Sequence, residues 1–216
     1  MKIFLVGSTG PTGLHLIDQA LARGLEVITV VRSPEKITTK HEKLTVIEGS
    51  VLQDSVMVEP MRGCDAVVSA IGGKNGTFNP CSIYTASGAA IVKAMREAGV
   101  KRLIVCTAWA TKDHSELPLL WRWVLRLTLI RNVLRDMAEF EDYLALECKD
   151  LTVTVVRPGV LTNEPASGKK PEEAIDKYSV GNSWWIGGSI SRADVAKFML
   201  DCLDNPAYDN KSVAII

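Results

Sequence analysis

The chain is predicted to fold as a single doubly wound α/β domain, and three observations carry that reading. Short β-branched runs alternate with longer segments of helical period, the unit recurs about five times, and the runs are continuously apolar, as strands covered on both faces must be. The 216 residues, 47% of them hydrophobic, are enough for one well-buried core and short for two.

The strands are expected at Ile3–Val6, Val27–Val31, Leu44–Ile47, Ala66–Ile71, Leu103–Cys106 and Val153–Val156. The first run, although preceded by Lys2, ends at Gly7, well short of a signal-peptide core, and reads as a buried strand. The first helix carries Leu14, Ile17 and Leu21 on one face and stops at Gly24, a natural residue just past a helix end. A second runs from about Ser82, with Ile83, Ala90, Ile91, Ala94 and Met95 inward, to Gly99. A long helical pattern spans Ser115 to Glu147, with Pro118 in its first turn. At about 100° per residue, Leu120, Trp123, Leu127, Ile130, Leu134 and Met137 share its core face. The pairs Arg122/Arg126 and Arg131/Arg135 fall on nearly opposite sides, which disfavours a basic membrane-binding stripe. Three arginines within Leu117–Leu134 also disqualify it as a span. The last helix opens with Ser191-Arg192-Ala193-Asp194, a capping-box spacing, and buries Val195, Phe198, Met199 and Leu203. Between them Asn163–Asn182, rich in Gly, Pro and charge, is expected to be a mobile surface loop.

Lys plus Arg and Asp plus Glu both count 25, so no global field would hold the chain on nucleic acid or an anionic membrane. Five scattered cysteines, with no C-x-x-C spacing, point to a reducing compartment and a cytoplasmic location. His15, His41 and His114 share no metal-ligand spacing, and no metal is expected.

The chemistry starts at Gly7-Ser8-Thr9-Gly10-Pro11-Thr12-Gly13, which joins the first strand directly to an amphipathic helix. A pyrophosphate needs backbone N–H donors, and side chains must be missing where the chain bends against it and where helix meets strand. Gly7, Gly10 and Gly13 meet those needs, and Thr9 and Thr12 add hydroxyls. The setting predicts a dinucleotide-binding, Rossmann-type sheet. The second strand ends Val30-Val31-Arg32-Ser33, with Arg32 where an NAD-specific site would carry an acid; a guanidinium there suits a 2′-phosphate, Ser33 adds a hydrogen bond, and Lys36 can assist. The expected cofactor is therefore NADP(H).

Together with Gly49-Ser50-Val51-Leu52 and Arg157-Pro158-Gly159-Val160-Leu161-Thr162-Asn163-Glu164-Pro165, these blocks resemble the atypical short-chain dehydrogenase/reductases over nearly the whole chain, nearest the biliverdin reductase B (flavin reductase) and NmrA-like branch. The resemblance implies that Ser50, Val51 and Leu52 lie beside the adenine, and that Ile71, Gly72, Gly73 and Lys74 pass along the ribose and pyrophosphate. It further implies that Pro158, Gly159, Val160 and Leu161 border the nicotinamide, and that Cys106 and Thr107 sit beneath the reacting ring. Residues of about 158–190 would form a small substrate-side region.

The departures are specific. Tyr84, Tyr143 and Tyr178 are followed four residues later by Gly88, Glu147 and Asn182, so no Tyr-x-x-x-Lys pair exists. Ala108 and Gly159 stand where flavin reductase relatives carry serine and histidine. A conjugated acceptor (flavin, biliverdin-like or quinone-like) needs less acid help, so the protein would contribute mainly orientation. Thr107 is the candidate positioning hydroxyl, its alternative being a strand-end threonine bonded to nearby backbone. Trp109 and Trp121 either shape a flat pocket for an aromatic small molecule, form a dimer contact, or pack in the core; Trp184 and Trp185 pose the same choice. Two functions stay open: an NADPH-dependent oxidoreductase, as a monomer or homodimer, and a catalytically silent NADP(H)-binding redox sensor.

Overall fold

A computed structural model describes residues 1–73, 81–111, 131–176 and 188–216. Ten strands are present among them: β1 (Lys2–Val6), β2 (Glu26–Val31), β3 (Leu44–Glu48), β4 (Ala66–Ser69), β5 (Arg102–Cys106), β6 (Thr152–Pro158), β7 (Val160–Thr162), β8 (Glu173–Ile175), β9 (Ser189–Ser191) and β10 (Ser212–Ile215). The helices are α1 (Pro11–Ala22), α2 (Asp54–Met61), α3 (Ile83–Ala98), α4 (Arg131–Glu147) and α5 (Arg192–Asp201). Eight strands form one sheet in the order β3-β2-β1-β4-β5-β6-β10-β8, parallel except for β8 at the edge, and β7 pairs with β9 in a separate parallel ribbon. The chain leaves β3 at one edge and returns on the far side of β1 as β4. That reversal opens a crevice at the carboxyl ends of the strands, where ligands of such sheets bind.

Period-2 alternation divides the apolar residues between the two faces. Phe4, Val6, Val67 and Leu103 face α2, α3 and α4, packing with Met57, Ile91, Met95 and Phe140. Ile3, Leu5, Val68 and Ile104 face α1 and α5, packing with Leu16, Ile17, Val195, Phe198 and Met199.

Several expectations are corrected. β4 stops at Ser69 rather than Ile71, because Ala70 to Gly73 turn out of the ladder toward the crevice. On α1 Leu14 is only half-buried, and Leu16 and Ala20 complete the core face. The helix does end at Gly24, where the Gly24 N–H reaches the Leu21 carbonyl and the Leu25 N–H the Ala20 carbonyl. Asn163–Asn182 is not wholly loop: Glu173–Ile175 pairs antiparallel with β10. Of the helix expected over Ser115–Glu147, Arg131–Glu147 is helical, with Met137 buried and Leu134 half-buried; residues 112–130 lie outside the described residues. Half of the capping box stands as expected, with the Ser191 hydroxyl oxygen accepting the Asp194 N–H at 3.0 Å, whereas the Asp194 carboxylate turns to the Ser167 N–H and the Ser191 hydroxyl.

Helices α3 and α4 meet at Gly88, where an added Cβ would strike the Phe140 ring, 2.8 Å from Cζ. Both residues are buried, so neither element can swing aside without disturbing the core. Gly88→Ala is expected to lower the unfolding free energy by about 1–3 kcal/mol, read from the urea midpoint, and Phe140→Leu in the same chain to recover part of it.

Candidate functional site

The glycine turn is built by close approach. Gly7 has φ +82°, and a Cβ there would collide with the Ala70 carbonyl and stand 2.7 Å from the Ile71 nitrogen. A Cβ on Gly13 would run into the Gly7 carbonyl and lie 2.6 Å from Ser8 Cα. Any side chain at either place would push α1 off β1. Ser8 is fully buried and its hydroxyl bonds the Thr29 hydroxyl, which donates to the Leu5 carbonyl at 2.8 Å, so the turn is tied to two strands. Pro11 opens α1, no acidic residue occupies the first turn, and no side chain caps it. Its orphan N–H groups and positive dipole end are therefore available to an anion.

These residues line one cavity of about 870 Å³. Of the predicted cofactor residues, Gly7, Thr9, Gly10, Pro11 and Thr12 form its floor at the turn, and Arg32 stands at the end of β2. Ser50, Val51 and Leu52 follow β3, Ile71, Gly72 and Gly73 follow β4, Cys106 and Thr107 close β5, and Pro158 to Leu161 leave β6, all of them on the wall. Trp109, the predicted substrate contact, is there too. Gly13 serves the turn from behind, and Ser33 lies outside the lining. Lys74, Trp121, Tyr178, Trp184 and Trp185 lie outside the described residues. Arg32 is exposed and, among the described residues, has no carboxylate partner.

Sequence reasoning missed what stands behind the wall. The buried Thr107 hydroxyl donates to Glu141 Oε1 at 2.6 Å, and Arg157 Nη2 donates to Glu141 Oε2 at 2.6 Å, with both partners of this ion pair nearly inaccessible. A hydroxyl has one proton and two lone pairs. Because the proton of Thr107 is given to a carboxylate, the hydroxyl can offer a ligand only lone pairs. The simple strand-end threonine is thereby corrected: its bond is to a distant buried acid, not to nearby backbone. The resemblance blocks had included Arg157, and the spacing Leu134, Met137, Glu141 continues the core face of α4, but an acid on that face gave no sign of the partner it would meet.

Tyr84, Ile83, Val133, Leu134 and Met137 complete the apolar wall, and Arg192 adds a charge, none of them expected there. Tyr84 is buried, and its phenolic oxygen accepts the Gly73 N–H at 3.1 Å, pinning the loop after β4. Burial above all raises its pKa, so the phenol stays protonated at any physiological pH. Burial also pushes the Cys106 thiol up to about 12, which removes it as a thiolate nucleophile at neutral pH. Asp136 of α4 accepts the Tyr84 and Thr85 N–H groups at 2.8 and 3.1 Å, capping α3 from a neighbouring helix where Ser82 makes no side-chain cap.

The sheet order and the glycine cradle define a dinucleotide-binding protein of the Rossmann class. The model of a family described as NAD(P)H-binding matches residues 7–206, and the chain belongs to that family. It is 28% identical to an uncharacterised chloroplastic protein of Arabidopsis thaliana, over all of this chain and 76% of that one. It is 27% identical to an uncharacterised sugar epimerase of Bacillus subtilis (YhfK; 98% and 92% covered) and 26% identical to the oxidoreductase stcQ of Emericella nidulans (98% and 81%). Among solved structures, the oxidoreductase ylbE of Lactococcus lactis superposes with a TM-score of 0.79 at 19% identity (100% and 90% covered). A Veillonella parvula short-chain dehydrogenase/reductase in complex with NADP gives 0.77 at 19% (99% and 93%). At these identities the structures speak for the fold. The protein is thus an NAD(P)H-binding member of an oxidoreductase-like group, and among the described residues no helix is long and apolar enough to cross a membrane.

Removing Glu141 would strip Arg157 of its carboxylate in a buried setting. Glu141→Leu is expected to cost about 3–5 kcal/mol of stability in urea unfolding, the usual price of breaking a buried pair on one side. Thr107→Val, which forfeits one hydrogen bond, should cost only about 1–2 kcal/mol.

Proposed function

We propose that the chain is an NADPH-dependent oxidoreductase that reduces a conjugated acceptor of the flavin, biliverdin-like or quinone-like class. One observation carries the reading: a single cavity runs from the glycine turn and Arg32 to the apolar wall of Trp109, Val133, Leu134 and Met137. When bound, NADPH supplies a hydride. The open amides of the turn, with Thr9 and Thr12, hold the pyrophosphate, and Arg32 takes the 2′-phosphate. Ser50 to Leu52 pack the adenine, Ile71 to Gly73 and Lys74 follow the ribose, and Pro158 to Leu161 border the nicotinamide. Thr107, its proton committed to Glu141, positions a ligand N–H through its lone pairs, and Trp109 and Trp121 give a flat surface to the acceptor ring. The substrate-side region covers residues of about 158–190. The helix position that would carry an assisting lysine for Tyr84 is Gly88, which packs against Phe140, and among the described residues no lysine lines the cavity. The last proton therefore comes from water, which suits an acceptor that delocalises its negative charge and not a simple ketone.

That same missing lysine favours a second reading, a silent NADP(H)-binding sensor. Purified protein mixed with NADPH and FMN, FAD, biliverdin or menadione is expected to consume nicotinamide absorbance well above the protein-free blank. Tight NADPH binding without turnover on any of the four would select the sensor. Arg32→Ala is expected to weaken NADPH by roughly tenfold or more and NADH little, measured by titration; equal weakening would remove the basis for coenzyme choice. All five cysteines are free, which supports a reducing compartment such as the cytoplasm.

A further inference from the structure

The cavity holds a second cation that the reading above does not use. Arg192, at the start of α5, lines it beside Leu161. Its Nη1 donates to Asn163 Oδ1 at 2.6 Å and, more weakly, to the Leu161 carbonyl at 3.4 Å, and both acceptors are neutral. A guanidinium has five N–H donors, and among the described residues Nε and Nη2 meet no protein acceptor. The acid nearest in sequence, Asp194, is taken: its carboxylate accepts the Ser167 N–H at 2.9 Å and the Ser191 hydroxyl at 2.8 Å. Among the described residues no carboxylate pairs with Arg192, and none lines the cavity, in a chain with 25 acidic residues. The charge also sits at the amino end of a helix, where the backbone dipole disfavours a cation and favours an anion. A half-buried arginine in that position is stabilised once an oxyanion arrives.

We propose that Arg192 is an oxyanion-binding residue of this cavity, taking phosphate, carboxylate or sulfonate oxygens through its free guanidinium edge. The oxyanion has two sources, the coenzyme pyrophosphate or an acidic substituent of the acceptor. The second rests on the reductase reading, the first only on coenzyme binding.

Arg192→Gln removes the charge while its amide can still donate to Asn163 and Leu161. NADPH and NADH are titrated into both proteins, and then 1,2-naphthoquinone-4-sulfonate and neutral menadione into the NADP⁺-loaded proteins, followed by tryptophan fluorescence. If the pyrophosphate is the partner, both coenzymes weaken alike by roughly tenfold or more, unlike the 2′-phosphate-selective loss at Arg32. If the acceptor supplies the anion, the coenzymes are unaffected and the sulfonate weakens by a similar factor while menadione does not. Unchanged affinity for all four probes overturns the proposal, as does equal weakening of sulfonate and menadione with unchanged coenzymes. Phenylglyoxal labelling of the wild-type chain, read at Arg192 by peptide mass spectrometry, serves if the variant does not fold. Protection by NADPH or by the sulfonate supports the proposal, and equal labelling with and without both overturns it. None of these readouts needs turnover, so an inactive protein would sink the reductase reading alone.

Discussion

The carbonyl of Gly7 occupies the space a Cβ on Gly13 would need, and the carbonyl of Ala70 the space a Cβ on Gly7 would need. These two approaches decide where α1 begins relative to β1, and how closely the chain leaving β4 passes the first turn. Everything at the crevice inherits that spacing. The amides at the start of α1 face outward because Pro11 starts the helix without a side-chain cap, and Ser8, bonded to Thr29, locks the turn to β2. A bulkier side chain at either glycine would displace the helix and remove the cradle together, so the anion site and the strand-to-helix packing are one constraint.

A second constraint lies under the floor at the end of β5. Burying Glu141 and Arg157 costs several kcal/mol of lost hydration per ion, which the pair recovers only through good geometry and further hydrogen bonds. Thr107 supplies one of those bonds. A pair of apolar side chains of similar volume would make a core at least as stable, but it would leave the Thr107 hydroxyl free to rotate. What the ion pair provides is orientation: a hydroxyl whose proton always points inward. Asp136 does the equivalent for α3, accepting two backbone N–H groups at its first turn and so fixing Tyr84, whose oxygen in turn holds Gly73. Two buried acids on one helix, five residues apart, thus fix the chain ends that leave the neighbouring strands β4 and β5.

Much of this was legible in the residue pattern and some could not be. The central strands and the turn between β1 and α1 carry strong local signals, because continuous apolar runs and three glycines at fixed spacing each answer to one geometry. Arg32 could be placed from its position at the end of β2 alone. Strand β10 and helix α2 escaped for a different reason: Ser212–Ile215 is a short run at the end of the chain, and α2 buries only Met57, Val58 and Met61 around an internal Pro60, too little periodicity to rise above loop. Glu141, Asp136 and Arg192 were invisible as site residues because their roles come from partners 16 to 52 positions away. The period of α4 puts position 141 on the core face, but no local rule names the distant base that an inward acid will meet, or a cation whose counter-charge has been taken by its neighbours.

The distribution of charge around the cavity follows from the same bonds. The chain is neutral overall, with 25 acids and 25 bases, yet the described lining contains Arg32 and Arg192 and no carboxylate. The acids that come near are turned away from it: Glu141 toward Arg157, Asp136 toward the start of α3, and Asp194 toward Ser167 and Ser191. Each is consumed by a structural donor, so its field is spent locally. Among the described residues the two guanidinium groups and the orphan amides of α1 have no carboxylate opposing them, and the half-buried Arg192 sits where a charge acts more strongly than in water. A neutral protein can thus present a locally positive crevice without any basic stripe in its sequence, because pairing inside the fold sorts its charges by sign.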